Sequence, residues 1–145
     1  MFKSTTTFAS FSVDDLEKAK EFYGITLGIP IEEHMPGMMT LKTKGAGDVN
    51  IFLKKHHVPA TSTVLNFVVH DIAKTMEELS KQGITFEHYD GDEDIFTDEK
   101  GVAEAEGVKA SWFKDPAGNL LQLLQMPEVQ PAHQPRRRAP PNAND

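Results

Sequence analysis

FASFSVDDLEKAKEFY at residues 8–23 and VLNFVVHDIAKTMEEL at residues 64–79 are two versions of one pattern. Laid over each other without a gap, their sixteen positions hold five identities: Phe11/Phe67, Val13/Val69, Asp15/Asp71, Lys18/Lys74 and Glu21/Glu77. Leu16 also pairs with Ile72, and Phe8 with Val64. A repeat at this spacing marks a duplicated supersecondary unit. In the first copy Phe11 and Val13 alternate with Ser10 and Ser12, the period of a half-buried strand. Asp14 then stands where a helix N-cap belongs, with Glu17 three residues on as its capping-box partner. Leu16, Ala19, Phe22 and Tyr23 follow as a helical stripe that Gly28 can close. In the second copy Leu65, Phe67 and Val69 form the strand pattern, Ile72, Met76 and Leu79 the stripe, and Gly83 the stop.

Short extended runs follow each helix, separated by turn residues. The first half offers 29–34, 39–44 and 49–56, broken by Pro36-Gly37 and Gly45-Ala46-Gly47. The second offers 84–89, 108–114 and 120–126, with Pro116-Ala117-Gly118-Asn119 as its last turn. Each half therefore reads β-α-β-β-β, with modules at about 5–57 and 62–126 inside one domain of residues 1–126. Residues 90–107, acidic and Gly-punctuated, read as a mobile loop. From Pro127 onward, PEVQPAHQPRRRAPPNAND holds five of the nine prolines and almost no apolar side chains. Such a segment buries too little surface to offset its ordering entropy, so 127–145 is expected to be a disordered tail.

The tandem βαβββ order, Phe22–Gly28 as F-Y-x-x-x-L-G, and Phe113–Asn119 as F-x-D-P-x-G-N before a closing strand together resemble the vicinal oxygen chelate superfamily. This group includes glyoxalase I, bleomycin-resistance proteins and extradiol dioxygenases. The resemblance implies an α+β fold: two modules forming an incurved mixed sheet around a cavity, with helices on the outer face. It also implies a homodimer, the common assembly of such proteins. Strand parity places Ala9, Phe11, Val13, Ile51, Leu53, Leu65, Phe67, Val69, Leu121 and Leu123 against the helices. The opposite parity puts Phe8, Ser10, Ser12, Asn50, Phe52, Lys54, Val64, Asn66, Val68, Leu120, Gln122 and Leu124 toward the cavity. Apolar walls with a few amides and hydroxyls describe a small-molecule site.

Composition narrows the ligand. The 145 residues are 39% hydrophobic, ordinary for a globular chain, and include no cysteine. Disulfides, thiolate catalysis and Cys-ligated metals are thereby excluded. No stretch approaches bilayer length and no secretory leader is apparent, so a soluble, cytoplasmic protein is expected, without a membrane partner. All three arginines, Arg136–Arg138, lie in the tail, leaving residues 1–126 with twelve Lys against twenty acids. A body at −8 repels a phosphate backbone, so nucleic acid is not an expected partner. Without guanidinium forks its pocket suits a neutral or cationic ligand.

By the same resemblance, the family's metal ligands fall at Phe8, Phe52, Val64 and Gln122. Three of these cannot coordinate, and a lone amide cannot hold a divalent ion. No metal or other cofactor is therefore expected. The histidines show no ligating i, i+4 helical pair. His56, His57 and His88 are the candidates for acid–base chemistry, with no orienting partner evident from sequence. Two functions remain. The favoured one is a metal-free protein that binds a small aromatic or amphipathic molecule through Phe8, Ser10, Asn50, Phe52, Lys54, Asn66, Trp112 and Gln122. The alternative is a metal-dependent or acid–base enzyme of the same superfamily, a lyase, isomerase or dioxygenase, using a non-standard site.

Overall fold

A computed structural model describes residues 2–45 and 47–128; the expected disordered tail, from residue 129 on, lies outside the described residues. The chain runs β1 (Ala9–Val13), α1 (Leu16–Lys20), a π-helical continuation (Glu21–Thr26), β2 (Ile31–Met35), β3 (Met38–Leu41) and β4 (Val49–Leu53). The second module follows as β5 (Thr63–Val68), α2 (Ile72–Lys81), a 3₁₀ turn (Asp92–Asp94), β6 (Ala103–Ala105), β7 (Val108–Lys114) and β8 (Leu120–Gln125). Each module is one four-stranded mixed sheet, in order β1-β4-β3-β2 and β5-β8-β7-β6. In each, the first and last strands run parallel and the remaining pairs antiparallel. The fold is thus α+β with tandem βαβββ units, and the two sheets do not close into one.

The repeat encodes the helix starts. Asp15 has an extended backbone, and its carboxylate accepts the Lys18 amide N–H at 3.0 Å. Asp71 does the same for Lys74, also at 3.0 Å. These are two of the identities that defined the repeat, and such a cap contributes about 1 kcal/mol. The N-cap is Asp15, one residue beyond the expected Asp14. Glu17 consequently sits in the first turn, where its charge favours the positive helix end, rather than in a capping box.

The first helix does not stay α-helical. From Glu21 it widens, and Leu27 N–H bonds Phe22 C=O at 2.9 Å while Ile29 N–H reaches Tyr23 C=O at 2.9 Å. The wider turn carries Tyr23 fully inside, against Phe11 and Phe22 at ring distances of 5.9 and 5.0 Å.

Both helices lie on the same side of their sheets as the core. Ala19 and Tyr23 join Ile72, Met76 and Leu79 in one apolar cluster with Phe11, Val13, Ile51, Leu121, Leu123 and Phe113. This cluster spans both modules; Phe22 of the first meets Phe113 of the second at 6.3 Å. Of the expected helix-facing set, Phe11, Val13, Ile51, Leu121 and Leu123 are buried. Leu53 is exposed at the end of β4, and Ala9 at the start of β1. Leu65, Phe67 and Val69 are only half-buried, because they border an open cleft between the modules.

Two expectations for the second module need correction. Residues 84–89 do not form a strand; they make a single bridge, Phe86 to Phe113, with Glu87 N–H donating to Trp112 C=O at 2.8 Å. The segment read as a loop supplies β6 instead, which extends the same edge of β7 through Ala103↔Ala110 and Ala105↔Val108. One edge position is therefore built from two separate pieces of chain. The β6–β7 turn has Glu106 and Gly107 both at positive φ, 52° and 83°, as a two-residue hairpin twisted like its strands requires. Between the pieces, Thr97 Oγ1 accepts from Tyr89 N–H at 2.8 Å, Thr97 N–H reaches Tyr89 C=O, and Asp98 Oδ1 accepts the amides of Lys100 and Val102.

The modules are joined by the Phe113–Asn119 motif. Asp115, 5% exposed, accepts four hydrogen bonds: from Tyr23 hydroxyl at 2.7 Å, Asn119 Nδ2 at 2.9 Å, and the amides of Ala117 and Asn119 at 2.9 and 2.8 Å. Asn119 Nδ2 also donates to Ser12 C=O at 2.9 Å. Burial, reinforced by the Asp115 carboxylate, pushes the Tyr23 phenol far above its usual value near 10. A phenol whose folded pKa is raised keeps its contribution in full below pH 10 and loses it as pH climbs, because the unfolded chain ionises first. Stability should therefore fall above about pH 10 by up to about 1.4 kcal/mol per pH unit from this group. Tyr23→Phe should remove that share of the slope in alkaline denaturation curves; an unchanged slope would show that the phenol does not carry it.

Candidate functional site

Register brings the expected binding residues into two lateral rows. On the first sheet Ser10, Asn50, Thr40 and Glu32 stand side by side across β1, β4, β3 and β2. On the second, Asn66, Gln122 and Trp112 do so across β5, β8 and β7. The repeat pairs Ser10 with Asn66, and Asn50 and Gln122 hold the same strand position in each module, so the rows are equivalent. Both occupy the sheet faces opposite the helices and the core.

The rows are mostly neutral and polar, which follows from their position. A residue facing away from the core need not be apolar, but it must find a partner where it is partly buried. Asn50 Oδ1 accepts Thr40 Oγ1–H at 2.7 Å, and Asn66 Oδ1 accepts Thr63 Oγ1–H at 3.2 Å. Trp112 is buried, and Tyr89 covers it edge-on at 5.4 Å. Burial, with the nearby Glu87 charge adding to it, raises the Tyr89 phenol above its ordinary value, so it stays a neutral donor at physiological pH. Amides, hydroxyls and aromatic rings can orient a ligand by hydrogen bonds and stacking. Glu32, at the outer end of the first row, is the only ionisable member and already holds His34 and Lys42 at 3.2 and 3.6 Å.

The eight expected site residues do not converge on one enclosed cavity within the chain. Phe8, one residue before β1, is 65% exposed, and Ser10, Lys54 and Asn66 are also exposed. Lys54 lies beyond the end of β4, where its N–H bonds Val13 C=O. Ser10, Asn50 and Phe52 belong to the first sheet, and Asn66, Trp112 and Gln122 to the second. The faces are open: Val68 on the second is 68% exposed.

Sequence reading missed Thr40 and Tyr89, because cross-strand neighbours and a loop folded back over a strand depend on register. It also missed a partner for His57, whose Nδ1 lies 2.7 Å from Ser12 Oγ, 45 positions away. The other imidazole nitrogen, Nε2, is buried without a hydrogen-bond partner among the described residues. His88 Nε2 meets Glu99 C=O at 3.0 Å.

The family's metal positions do not fit a divalent transition ion here. Phe8, Phe52 and Val64 offer no donor, and Gln122 offers one amide oxygen. Among the described residues, no group of three or more His, Asp or Glu side chains is close enough together to hold one. Nor is any helix among them long and apolar enough to cross a membrane.

Comparison with known proteins bears on the fold. No curated protein matches the chain significantly in sequence. Among solved structures, a glyoxalase/bleomycin resistance protein/dioxygenase from Alicyclobacillus acidocaldarius superposes with a TM-score of 0.60 at 21% identity, covering 83% of this chain and 89% of its own. A protein of the same description from Nocardioides reaches 0.61 at 18% identity, covering 94% and 92%. TnmS3, an antibiotic binding protein from Streptomyces sp. CB03234, reaches 0.59 at 22% identity, covering 86% and 99%. The family profile for the Glyoxalase/Bleomycin resistance protein/Dioxygenase superfamily matches residues 6–123. With its tandem modules, its open polar rows and that match over most of its length, the chain belongs to this superfamily.

Proposed function

We propose that the protein binds or sequesters a small aromatic or amphipathic molecule, neutral or cationic, against its open sheet faces. The observation that carries this reading is the pair of equivalent rows, in which Ser10, Asn50, Thr40, Asn66, Gln122 and Trp112 do not titrate and Glu32, the one ionisable member, is already paired with Lys42. Such groups suit recognition better than proton transfer. A structural relative named as an antibiotic binding protein is consistent with this reading. A second copy of the chain would cover the apolar side chains beside the rows, Phe8 and Val68 among them, and complete the enclosure as a cytoplasmic homodimer.

The test combines sedimentation with calorimetric titration of a panel of planar aromatic and cationic compounds. A dimer at micromolar concentration that binds a panel member, and loses about tenfold in affinity in Gln122→Leu, is the expected result. A strict monomer that binds nothing in the panel would sink the proposal. The second reading, an acid–base enzyme of the superfamily, draws on the Ser12–His57 contact. It predicts turnover that disappears in His57→Gln while ligand affinity stays.

A further inference from the structure

A second cleft lies at the module junction and has two chambers. The inner one, about 170 Å³, is walled by Leu27, Ile29, Phe67, Val69, Phe113 and Leu123, with Thr75 of α2 at its side. The outer one, about 620 Å³, runs along the open edge of β5 and faces Lys42, Thr43 and Lys44 of the first module. Ile29 and Phe67 line both, so the two chambers adjoin.

Each chamber has a distinct chemistry. The inner wall consists of side chains that a finished core would enclose, yet Leu27, Ile29, Phe67 and Val69 are only half-buried. The π-helical turn sets where two of them stand, since its wide hydrogen bonds end at the Leu27 and Ile29 amides. A space of about 150 Å³ accepts one benzene-sized ring, so the inner chamber has room for one. The outer chamber supplies charge. Lys42 is held by Asp48 at 2.6 Å and by Glu32 at 3.6 Å. Among the described residues Lys44 makes no ion pair, which leaves its ammonium available to a ligand.

We infer that this junction cleft binds a small aryl carboxylate, with its ring in the inner chamber and its carboxylate on Lys44. Asn66 of the second row and its neighbour Val68 line the outer chamber, but neither Gln122 nor Trp112 lines either chamber, so a Gln122 variant separates this cleft from the row. The ligand charge is also the opposite of that favoured at the rows.

The probe is 4-phenylbutanoate, with 4-phenylbutan-1-ol as its uncharged match, titrated calorimetrically into the full chain. The acid should bind about tenfold more tightly than the alcohol, the difference made by one charge-assisted contact. Lys44→Ala should bring the acid down to the alcohol's affinity and leave the alcohol unchanged. Thr75→Leu, which narrows the inner chamber, should weaken both by a similar factor, whereas Gln122→Leu should affect neither. The inference is overturned if the acid does not bind, if Lys44→Ala leaves its advantage intact, or if Thr75→Leu binds both probes as well as the parent. Lys44 is exposed on a loop, so its variant tests the idea even if Thr75→Leu folds poorly.

Discussion

Asp115→Ala is expected to be among the most damaging single substitutions in the chain, costing roughly 3–5 kcal/mol. Four donors converge on this carboxylate, and each hydrogen bond is worth about 1 kcal/mol net, more when the acceptor is charged. Alanine would strand the Tyr23 hydroxyl, which is fully buried. It would also loosen Asn119, whose side chain reaches Ser12 C=O in the other module. The loss therefore falls on the junction as well as on a turn. Urea denaturation of Asp115→Ala and Asp115→Asn tests this. Asparagine keeps two of the acceptor contacts in shape and should lose roughly half as much. A cost below about 1 kcal/mol for the alanine variant would show that the junction does not depend on the carboxylate.

Phe113→Ala should cost about 3–5 kcal/mol, the range for deleting a large buried aromatic side chain. Phe113 is fully buried in β7 and packs against Phe22 of the first module at 6.3 Å and Phe86 of its own at 5.6 Å. Its removal opens a void beside the inner chamber that neither helix can collapse into without losing its own contacts. Gln122→Leu, one strand away, is the contrast. Gln122 is half-buried on the other face, and its replacement should leave the melting temperature within a few degrees. Thermal melts of the two variants separate core from site. If Gln122→Leu destabilises as much as Phe113→Ala, the amide is structural, and the row loses its functional reading. Phe67, which matches Phe11 in the repeat and reads as equally buried in sequence, should cost less than Phe113, because it lines the junction cleft and is only half-buried.

Much of the architecture was legible in the chain because it rests on short-range chemistry. The period-2 runs, the apolar stripes of the helices and the Asp-Lys pairs that start them depend on neighbours two to four residues away, where side-chain direction follows from backbone geometry. The repeat then carried the module boundaries, and parity sorted core from open face in the central strands. Where that reading failed, the deciding contacts were long-range. Residues 84–89 have a strand pattern, but the edge of β7 takes only Phe86 from them before the chain turns away at Tyr89 and returns as Ala103–Ala105. The acidic, Gly-punctuated sequence there hides the returning strand. Parity also predicted too much burial on β5, since Leu65, Phe67 and Val69 border an open cleft, whereas Phe11 and Val13 on the equivalent edge strand β1 are buried.

The candidate site divides in the same way. Asn66, Gln122, Asn50 and Ser10 could be assigned to one face from alternation, but their alignment into rows required the register between strands far apart in sequence. Tyr23 and Asp115 are 92 positions apart, and Ser12 and His57 are 45. No local propensity encodes such pairs. The first forms because the two modules bury their apolar faces against each other and the docking brings a phenol to a carboxylate; the second forms within the first module, where the chain leaving β4 returns beside β1. Periodicity fixes which way a side chain points along its own element; what it meets there depends on how the modules pack, because burial is non-directional and the partners are set by where the packed surfaces meet.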